Sequence, residues 1–179
     1  MSSHPAKKTV IVPHYAMSGG TLIAFAADEI VMDQYAVLGP VDPQLMEGNA
    51  SYPAVSLLKV LEKKKIDEVD DRTIILADEA KKAMLQNESL VRKIVAGRYP
   101  DETVNKIVEE LVSGKYTHDN PITADQASAI GLKVSTQVPG EIYDLMHLYK
   151  MGTMARRPGV EFVPVASGGA RDGHHGASG

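Results

Sequence analysis

Residues 9–27 read Thr-Val-Ile-Val-Pro-His-Tyr-Ala-Met-Ser-Gly-Gly-Thr-Leu-Ile-Ala-Phe-Ala-Ala, and they decide the fold class. The first four residues are mostly β-branched and Pro13 ends them, which predicts a short buried strand. From Thr21 the composition becomes helical and apolar on nearly every side, which predicts a buried helix. Ser18 and the two glycines after it lie between these elements. The sequence therefore predicts a strand-to-helix turn with a serine at its centre.

The rest of the chain alternates short strands with longer helices. Strands are predicted at residues 29–32, 36–38 and 132–134, and helices at residues 53–65, 70–96, 101–112, 123–131 and 141–149. Residues 39–43 are predicted to form a rigid turn because each proline fixes φ, and residues 47–51 to form a loop. This order indicates an α/β fold, a small parallel sheet with flanking helices. Because so few strands rarely make a whole sheet, we expect the sheet to be incomplete in this chain.

The amino-acid composition excludes several classes of protein and of functional site. The chain has 179 residues, 44% hydrophobic and 23% charged, which excludes disorder throughout and suits one domain plus a tail. A formal net charge of −4 argues against a nucleic-acid partner. The chain has no cysteine, which excludes disulfides, thiolate metal sites and cysteine nucleophiles. No apolar run approaches the roughly 20 residues that span a bilayer, so we expect a cytoplasmic protein.

The domain is expected at residues 1–166, and residues 167–179 are expected to form a flexible tail. The tail holds five of the fifteen glycines and nothing to bury. His174 and His175 within it are too few ligands for a zinc site, and no metal or cofactor is predicted.

Three roles fit Ser18 from local sequence alone. Serine is among the best helix N-caps, and a glycine-rich strand-to-helix turn can also bind phosphate. A nucleophile is the third role, because unpaired N–H groups at a helix start stabilise an oxyanion and glycines let a substrate approach closely. The turn does not match Gly-x-Ser-x-Gly, since Ala16 stands two residues before the serine.

Four stretches of the sequence resemble one protein family. Residues 15–24, 27–32 and 38–44 closely resemble the serine dehydrogenase proteinase family, and residues 115–123 resemble its C-terminal half. That family is similar to signal peptide peptidase A and belongs to the Clp protease/crotonase fold group. The resemblance covers roughly residues 4–165. It implies a Clp protease/crotonase-like serine peptidase domain that lacks its N-terminal half.

The resemblance also implies catalytic roles. Ser18 matches the nucleophile of a serine peptidase, and the general base of this superfamily is commonly a lysine. Lys59 is the candidate base because it lies 41 positions after Ser18 in an apolar helical run, as in related archaeal Ser–Lys peptidases. A solvated lysine on an amphipathic helix is the alternative. Clp protease uses Ser-His-Asp instead, but its histidine would fall near Asp42, where this chain has none.

The remaining site residues are also expectations. Gly19 would donate one N–H to the oxyanion, and the second donor would come from an upstream Gly-Gly loop that the 17 residues before Ser18 do not contain. His14 and Gly20 are candidate substrate contacts. His118 and Asp119 are interpreted as a turn that caps the helix beginning at Thr123, and His147 as structural.

The predicted function is hydrolysis of peptide bonds through an acyl-enzyme with a Ser18–Lys59 dyad. We expect a peptide or protein substrate, a homo-oligomer, no cofactor, and membrane association only through an absent N-terminal segment. A truncated, catalytically silent interaction module of the same fold is the alternative. A crotonase-like binder of acyl-CoA or phosphate ranks third.

Overall fold

A computed structural model describes residues 4–149 of the chain. The strands are β1 (Thr9–Val12), β2 (Tyr15–Ala16), β3 (Glu29–Met32), β4 (Val37–Leu38), β5 (Gln44–Glu47), β6 (Ala50–Pro53), β7 (Ile122–Thr123) and β8 (Val134–Ser135). The helices are α1 (Gly19–Phe25), α2 (Ala54–Lys63), α3 (Asp71–Val95), α4 (Asp101–Leu111), α5 (Ala124–Ile130) and α6 (Gly140–Leu148). The predicted α/β class is confirmed.

The strands form two small sheets and a hairpin. In the first sheet β3 lies between β1 and β8 and is parallel to both. In the second sheet β4 lies between β2, to which it is parallel, and β7, to which it is antiparallel. Because β1 leads into β2 and β3 leads into β4, the second sheet extends the first across a change of direction. The small parallel sheet that the sequence predicts is therefore present.

Two local predictions are wrong. Residues 47–51 are not a plain loop, because β5 and β6 pair as an antiparallel hairpin. Gly48 turns this hairpin with a φ of +58°, a conformation that glycine adopts readily. In α1, Ile23 is 55% exposed, so only one side of this short apolar helix is buried.

Side-chain caps fix the starts of α3 and α5. Asp70 accepts a hydrogen bond from the Thr73 N–H at the start of α3. Thr123 and Gln126 form a reciprocal capping box at the start of α5, and Gly131 ends that helix with a φ of +105°. The cap of α5 therefore comes from Thr123 itself. His118, interpreted from the sequence as part of a capping turn, contacts a different partner.

The apolar interior is divided into two clusters. The main cluster joins the sheet to α1, α4 and α5, with Phe25, Ile30 and Ile107 fully buried at its centre. A smaller cluster around Leu57 joins α2, α3 and the hairpin. We call α2, the hairpin and the first half of α3 the arm, and the rest of residues 4–149 the body. The 25-residue α3, about 37 Å long, connects the two clusters.

Across residues 4–149, none of the helices combines the length and the apolar character that crossing a membrane requires. The tail predicted at residues 167–179 lies outside the described residues.

Candidate active site

Ser18 occupies a tight turn between β2 and α1. It precedes the first helical residue, Gly19, and has φ 48° and ψ −105°. Among residues 4–149 it is the one non-glycine residue with a positive φ. Such a conformation costs of order 1–3 kcal/mol and persists where the surrounding structure enforces it, often at reactive positions. The Ser18 side chain makes no capping hydrogen bond, so the hydroxyl is not engaged by its own helix.

Buried contacts on both sides enforce this turn. The Thr21 hydroxyl is completely buried and lies 2.7 Å from the Ala16 carbonyl oxygen and 2.8 Å from that of Gly39. It also accepts a hydrogen bond from the Gly39 N–H at 3.1 Å. At Gly20 an added Cβ would lie 3.2 Å from the Cβ of Ala16, so the helix crosses the strand at close range. A side chain at this position would displace Ala16 or the helix by a few tenths of an ångström, so the crossing favours glycine.

The turn opens into a cavity of about 470 Å³. Four segments line it: the start of α1, the rigid turn after β4, the middle of α3, and the loop after α4. The lining residues are Ser18, Gly19, Leu22, Val41, Asp42, Pro43, Gln44, Ala83, Gln86, Asn87, Leu90 and His118. Two of these residues, Asp42 and His118, have ionisable side chains.

Asp42 and His118 form a hydrogen-bonded pair in this cavity. The Asp42 Oδ1 lies 2.7 Å from the His118 Nδ1, although the two residues are 76 positions apart in the chain. The Asp42 side chain is 3% exposed and that of His118 is 39% exposed. The second carboxylate oxygen accepts a hydrogen bond from the Gln44 amide at 2.5 Å. Both carboxylate oxygens are therefore partnered, as a buried charge requires.

The segment that carries Asp42 is fixed from both sides. The Val41 N–H donates to the Leu111 carbonyl at 2.6 Å, which ties the rigid turn to the end of α4. The Asn87 side-chain amide on α3 donates to the Val41 carbonyl. The carboxylate therefore has a position set by the body of the protein.

The structure brings together some of the predicted site residues and separates others. Ser18 and Gly19 line the cavity, whereas Gly20 packs against Ala16 and does not line it. Lys59 is exposed on α2 and is not among the lining residues. His14 is also exposed and lies outside the cavity lining.

The pair of Asp42 and His118 is the feature that sequence reasoning missed. Asp42 lies in the stretch 38–44 and His118 in the stretch 115–123, both of which carry the family resemblance. Two sequence signals for this pair were available. One is an acidic residue between two prolines, and the other is a histidine in the second stretch that carries the resemblance. The contact between them depends on the tertiary fold.

Within residues 4–149 no group of three or more His, Cys, Asp or Glu side chains is placed to hold a metal ion. His174 and His175 lie outside the described residues.

The fold is mixed α/β, and a serine at a strained strand-to-helix turn lines the same cavity as a carboxyl–imidazole pair. The model of the family described as ClpP-like SDH-type serine proteinase matches residues 1–176. The chain belongs to this family, as the sequence resemblance implied.

Two archaeal proteins are similar to the chain. Uncharacterized protein MJ0137 of Methanocaldococcus jannaschii is 51% identical over 164 residues, which cover 92% of this chain and 56% of the relative. Uncharacterized protein MJ1495 of the same organism is 46% identical over 165 residues, covering 92% of this chain and 54% of the relative. The chain thus spans about half the length of the curated relatives it matches. No solved structure matches the chain.

Proposed function

We propose that the chain carries the nucleophile of a serine peptidase that hydrolyses peptide bonds through an acyl-enzyme. The observation that supports this most is the backbone of Ser18, which is held at a positive φ in a residue that lines a cavity and whose hydroxyl makes no capping bond. A hydroxyl that served only as a helix cap would bond to its own helix and would not need a strained backbone. Membership of a serine proteinase family agrees with this reading.

The proposed reaction has two halves. The Ser18 Oγ attacks the substrate carbonyl carbon while a general base takes the hydroxyl proton, and a tetrahedral oxyanion forms. The N–H of Gly19, the residue after the nucleophile, donates to that oxyanion. The C–N bond then breaks and the departing amine takes the proton, which leaves an acyl ester on Ser18. Water activated by the same base hydrolyses the ester and restores the serine.

The Ser18–Lys59 dyad remains a prediction with its own test. A lysine base must be neutral and must reach the serine hydroxyl, whereas Lys59 is exposed on the arm and does not line the cavity. If Lys59 is the base, Lys59→Met abolishes reaction at Ser18 and Lys63→Met, the matched variant at the end of α2, does not. Equal reactivity of the two variants would remove Lys59 from the mechanism.

The wider properties of the protein are also proposals. The substrates are peptides or proteins, and the acting unit is a homo-oligomer. A role for His14 in contacting substrate belongs to this wider proposal, since His14 lies outside the cavity lining. Light scattering with size-exclusion chromatography measures the oligomer directly, and a monomer at micromolar concentration would contradict it.

Covalent labelling with a fluorophosphonate tests the proposal without a known substrate. The probe should label the wild type at Ser18, as intact-mass and peptide mass spectrometry would show, and should not label Ser18→Ala. Ser56→Ala removes an exposed hydroxyl on α2 and should label like the wild type. Equal labelling of the wild type and Ser18→Ala would exclude Ser18 as the nucleophile. A folded wild type without labelling would favour the silent interaction module.

A further inference from the structure

Helix α6 presents apolar side chains outward instead of burying them. None of its nine residues is buried, although most of them are apolar or aromatic. Leu145 is 47% exposed, Leu148 is 78% exposed, and Tyr149, which follows the helix, is 66% exposed. Leu145 and Leu148 are three positions apart, so they lie on one side of the helix. A single exposed apolar residue is ordinary, whereas several together mark a contact surface.

A further exposed side chain adjoins this row. The Asp33 carboxylate accepts hydrogen bonds from the Tyr143 hydroxyl and, at 2.8 Å, from the Tyr35 N–H, so Tyr35 lies beside α6. The Tyr35 side chain is 85% exposed. The surface that we call the α6 patch consists of Tyr35, Leu145, Leu148 and Tyr149.

Two carboxylates are exposed on the same helix, towards its N-terminal end. They belong to Glu141 and Asp144. Among residues 4–149, neither has a cationic side chain within ion-pair distance. A helix with acidic groups at one end and apolar side chains at the other fits a segment with the complementary order, cations followed by apolar residues.

The chain itself contains such a segment beyond α6. Thirty residues follow Tyr149, and residues 160–165 among them read Val-Glu-Phe-Val-Pro-Val, an apolar and largely β-branched run. Arg156 and Arg157 precede this run. The family match extends to residue 176, so it includes both the arginines and the run. The segment therefore belongs to the part of the chain that the family shares.

We propose that residues 156–165 return over α6 and cover the α6 patch. In this arrangement Arg156 and Arg157 lie at Glu141 and Asp144, and residues 160–165 lie on the patch. The occupant is thus a segment of the same chain. The inference is independent of the proposed function, since it involves neither Ser18 nor its cavity.

The connection is long enough for this return. Asp144 lies five residues before Tyr149, which is about 8 Å along the helix. Residues 150–155 can span about 20 Å when they are extended. They can therefore reverse the chain direction and bring Arg156 back to Asp144. From there an extended run leads over Leu148 and Tyr149.

The short connection also favours the contact energetically. A segment on a short tether has an effective concentration of the order of millimolar at its site, so a modest contact is enough to hold it. Burying a phenylalanine side chain such as that of Phe162 changes the equilibrium about 10- to 100-fold. The ion pairs are exposed and add little, so their main effect is to select the direction in which the segment lies.

A nitroxide label tests where the segment lies. The chain has no cysteine, so Ala166→Cys creates a single labelling site directly after the apolar run. The label should strongly broaden the amide signals of Tyr35, Leu145 and Leu148 in proton–nitrogen NMR spectra. Ser178→Cys, twelve residues farther along the chain, is the matched labelling site and should broaden these signals much less. Equal broadening from the two sites, or none from either, would overturn the proposal.

A mixed sample separates the same chain from a second copy. It contains nitrogen-15 chains without nitroxide and unlabelled chains that carry the nitroxide at Ala166→Cys. The signals of α6 should stay sharp in this sample, because each segment covers the helix of its own chain. Broadening in the mixed sample would mean that a second copy occupies the patch, which would also overturn the proposal.

Hydrogen exchange of the full chain measures the apolar contact without a label. Phe162→Ser should accelerate exchange of the α6 amides about 10- to 100-fold, because the segment leaves the patch more often. His174→Ser, beyond the proposed segment, is the control and should exchange like the wild type. If Phe162→Ser also exchanges like the wild type, residues 160–165 do not cover α6.

A charge exchange measures the proposed direction of the segment. Arg156→Glu combined with Arg157→Glu should accelerate exchange of the α6 amides about 2- to 5-fold, the range for exposed ion pairs. Adding Glu141→Arg and Asp144→Arg to that variant should reverse the acceleration, because the pairs form again with opposite signs. Acceleration that the second pair of substitutions increases would contradict the proposed arrangement.

Discussion

At the scale of single residues, Ser18 combines a reactive position with an unfavourable backbone. Its φ of 48° lies in a region that glycine adopts readily and that is strained for a residue with a Cβ. Thr21, Gly20 and Gly39 hold the turn in this state through buried contacts on both sides. The protein therefore keeps a serine at a position where the backbone would favour glycine.

This conflict predicts that removing the side chain at this position stabilises the fold. Ser18→Gly relieves strain of about 1–3 kcal/mol and loses about 0.5–1 kcal/mol through the freer unfolded chain, so a net gain of about 1 kcal/mol is expected. Ser18→Ala keeps the Cβ and the strain, and serves as the control. Urea unfolding measures both. A Ser18→Gly variant that is less stable than Ser18→Ala would show that the turn is not strained.

Ser18 was predictable from the sequence, but its partners were not. A strand signal, a serine, two glycines and a helical run follow one another within one short stretch, and local rules interpret such a stretch well. Asp42 and His118 meet only because β4, β7 and α4 pack around the same core, which adjacent residues do not encode. Lys59 was chosen by its spacing from Ser18 in the sequence, and spacing does not say which way a helix faces.

At the scale of elements, the long helices were predictable, whereas the two-residue strands β2 and β7 and the hairpin were missed. α3 has an apolar repeat over seven turns and a cap at Asp70, so its bounds of 71–95 lie within one residue of the expected 70–96. β7 has two residues, which is too short for alternation to show. The hairpin was missed although Gly48 and Asn49 form a two-residue pair typical of such turns.

Helix α6 contacts the loop after β3 through a side-chain hydrogen bond. None of its residues is buried, and the Tyr143 hydroxyl donates a hydrogen bond to Asp33 after β3. This hydrogen bond is the largest cause of a lowered pKa at Asp33, and the hydrogen bond from the Tyr35 N–H is the second largest. Burial acts in the opposite direction and raises the pKa. The same bond raises the pKa of Tyr143.

The sign of this coupling gives a prediction about acid pH. Because the pKa of Asp33 is lower in the folded state, its contribution to stability is present above about pH 4 and is lost as the pH falls through the folded-state value. Tyr143→Phe removes the largest cause, so the pKa of Asp33 should rise towards its ordinary value. Carbon-13 NMR titration of the carboxyl group measures this. Tyr149→Phe, at an exposed position, should leave it unchanged, and an unchanged titration in Tyr143→Phe would contradict the assignment.

At the scale of the whole molecule, the two apolar clusters differ greatly in size. The main cluster contains Phe25, Ile107 and Leu111, each almost fully buried, whereas the small cluster in the arm has three buried residues, Ala54, Leu57 and Ala80. Local stability follows the number of buried apolar contacts, so the arm should open more readily than the body.

Hydrogen exchange should resolve this difference. Amides of α2 and the hairpin should exchange faster than those of α4. Ile107→Ala should destabilise the whole fold by about 2–5 kcal/mol, because a large buried side chain is removed from the main cluster. Leu57→Ala should accelerate exchange in the arm and leave α4 protected. Equal acceleration in the arm and the body by Leu57→Ala would mean that the two clusters unfold as one unit.

The length of α3 has a consequence for access to the serine. The first half of α3 packs in the small cluster of the arm, and its C-terminal end packs in the body through Val91 and Val95. The turns between these anchors form one wall of the cavity, with Ala83, Gln86, Asn87 and Leu90 lining it. The two ends of α3 are therefore held by clusters of unequal size. Because this wall lies between the two anchors, we expect movement of the arm relative to the body to change the width of the cavity in front of Ser18.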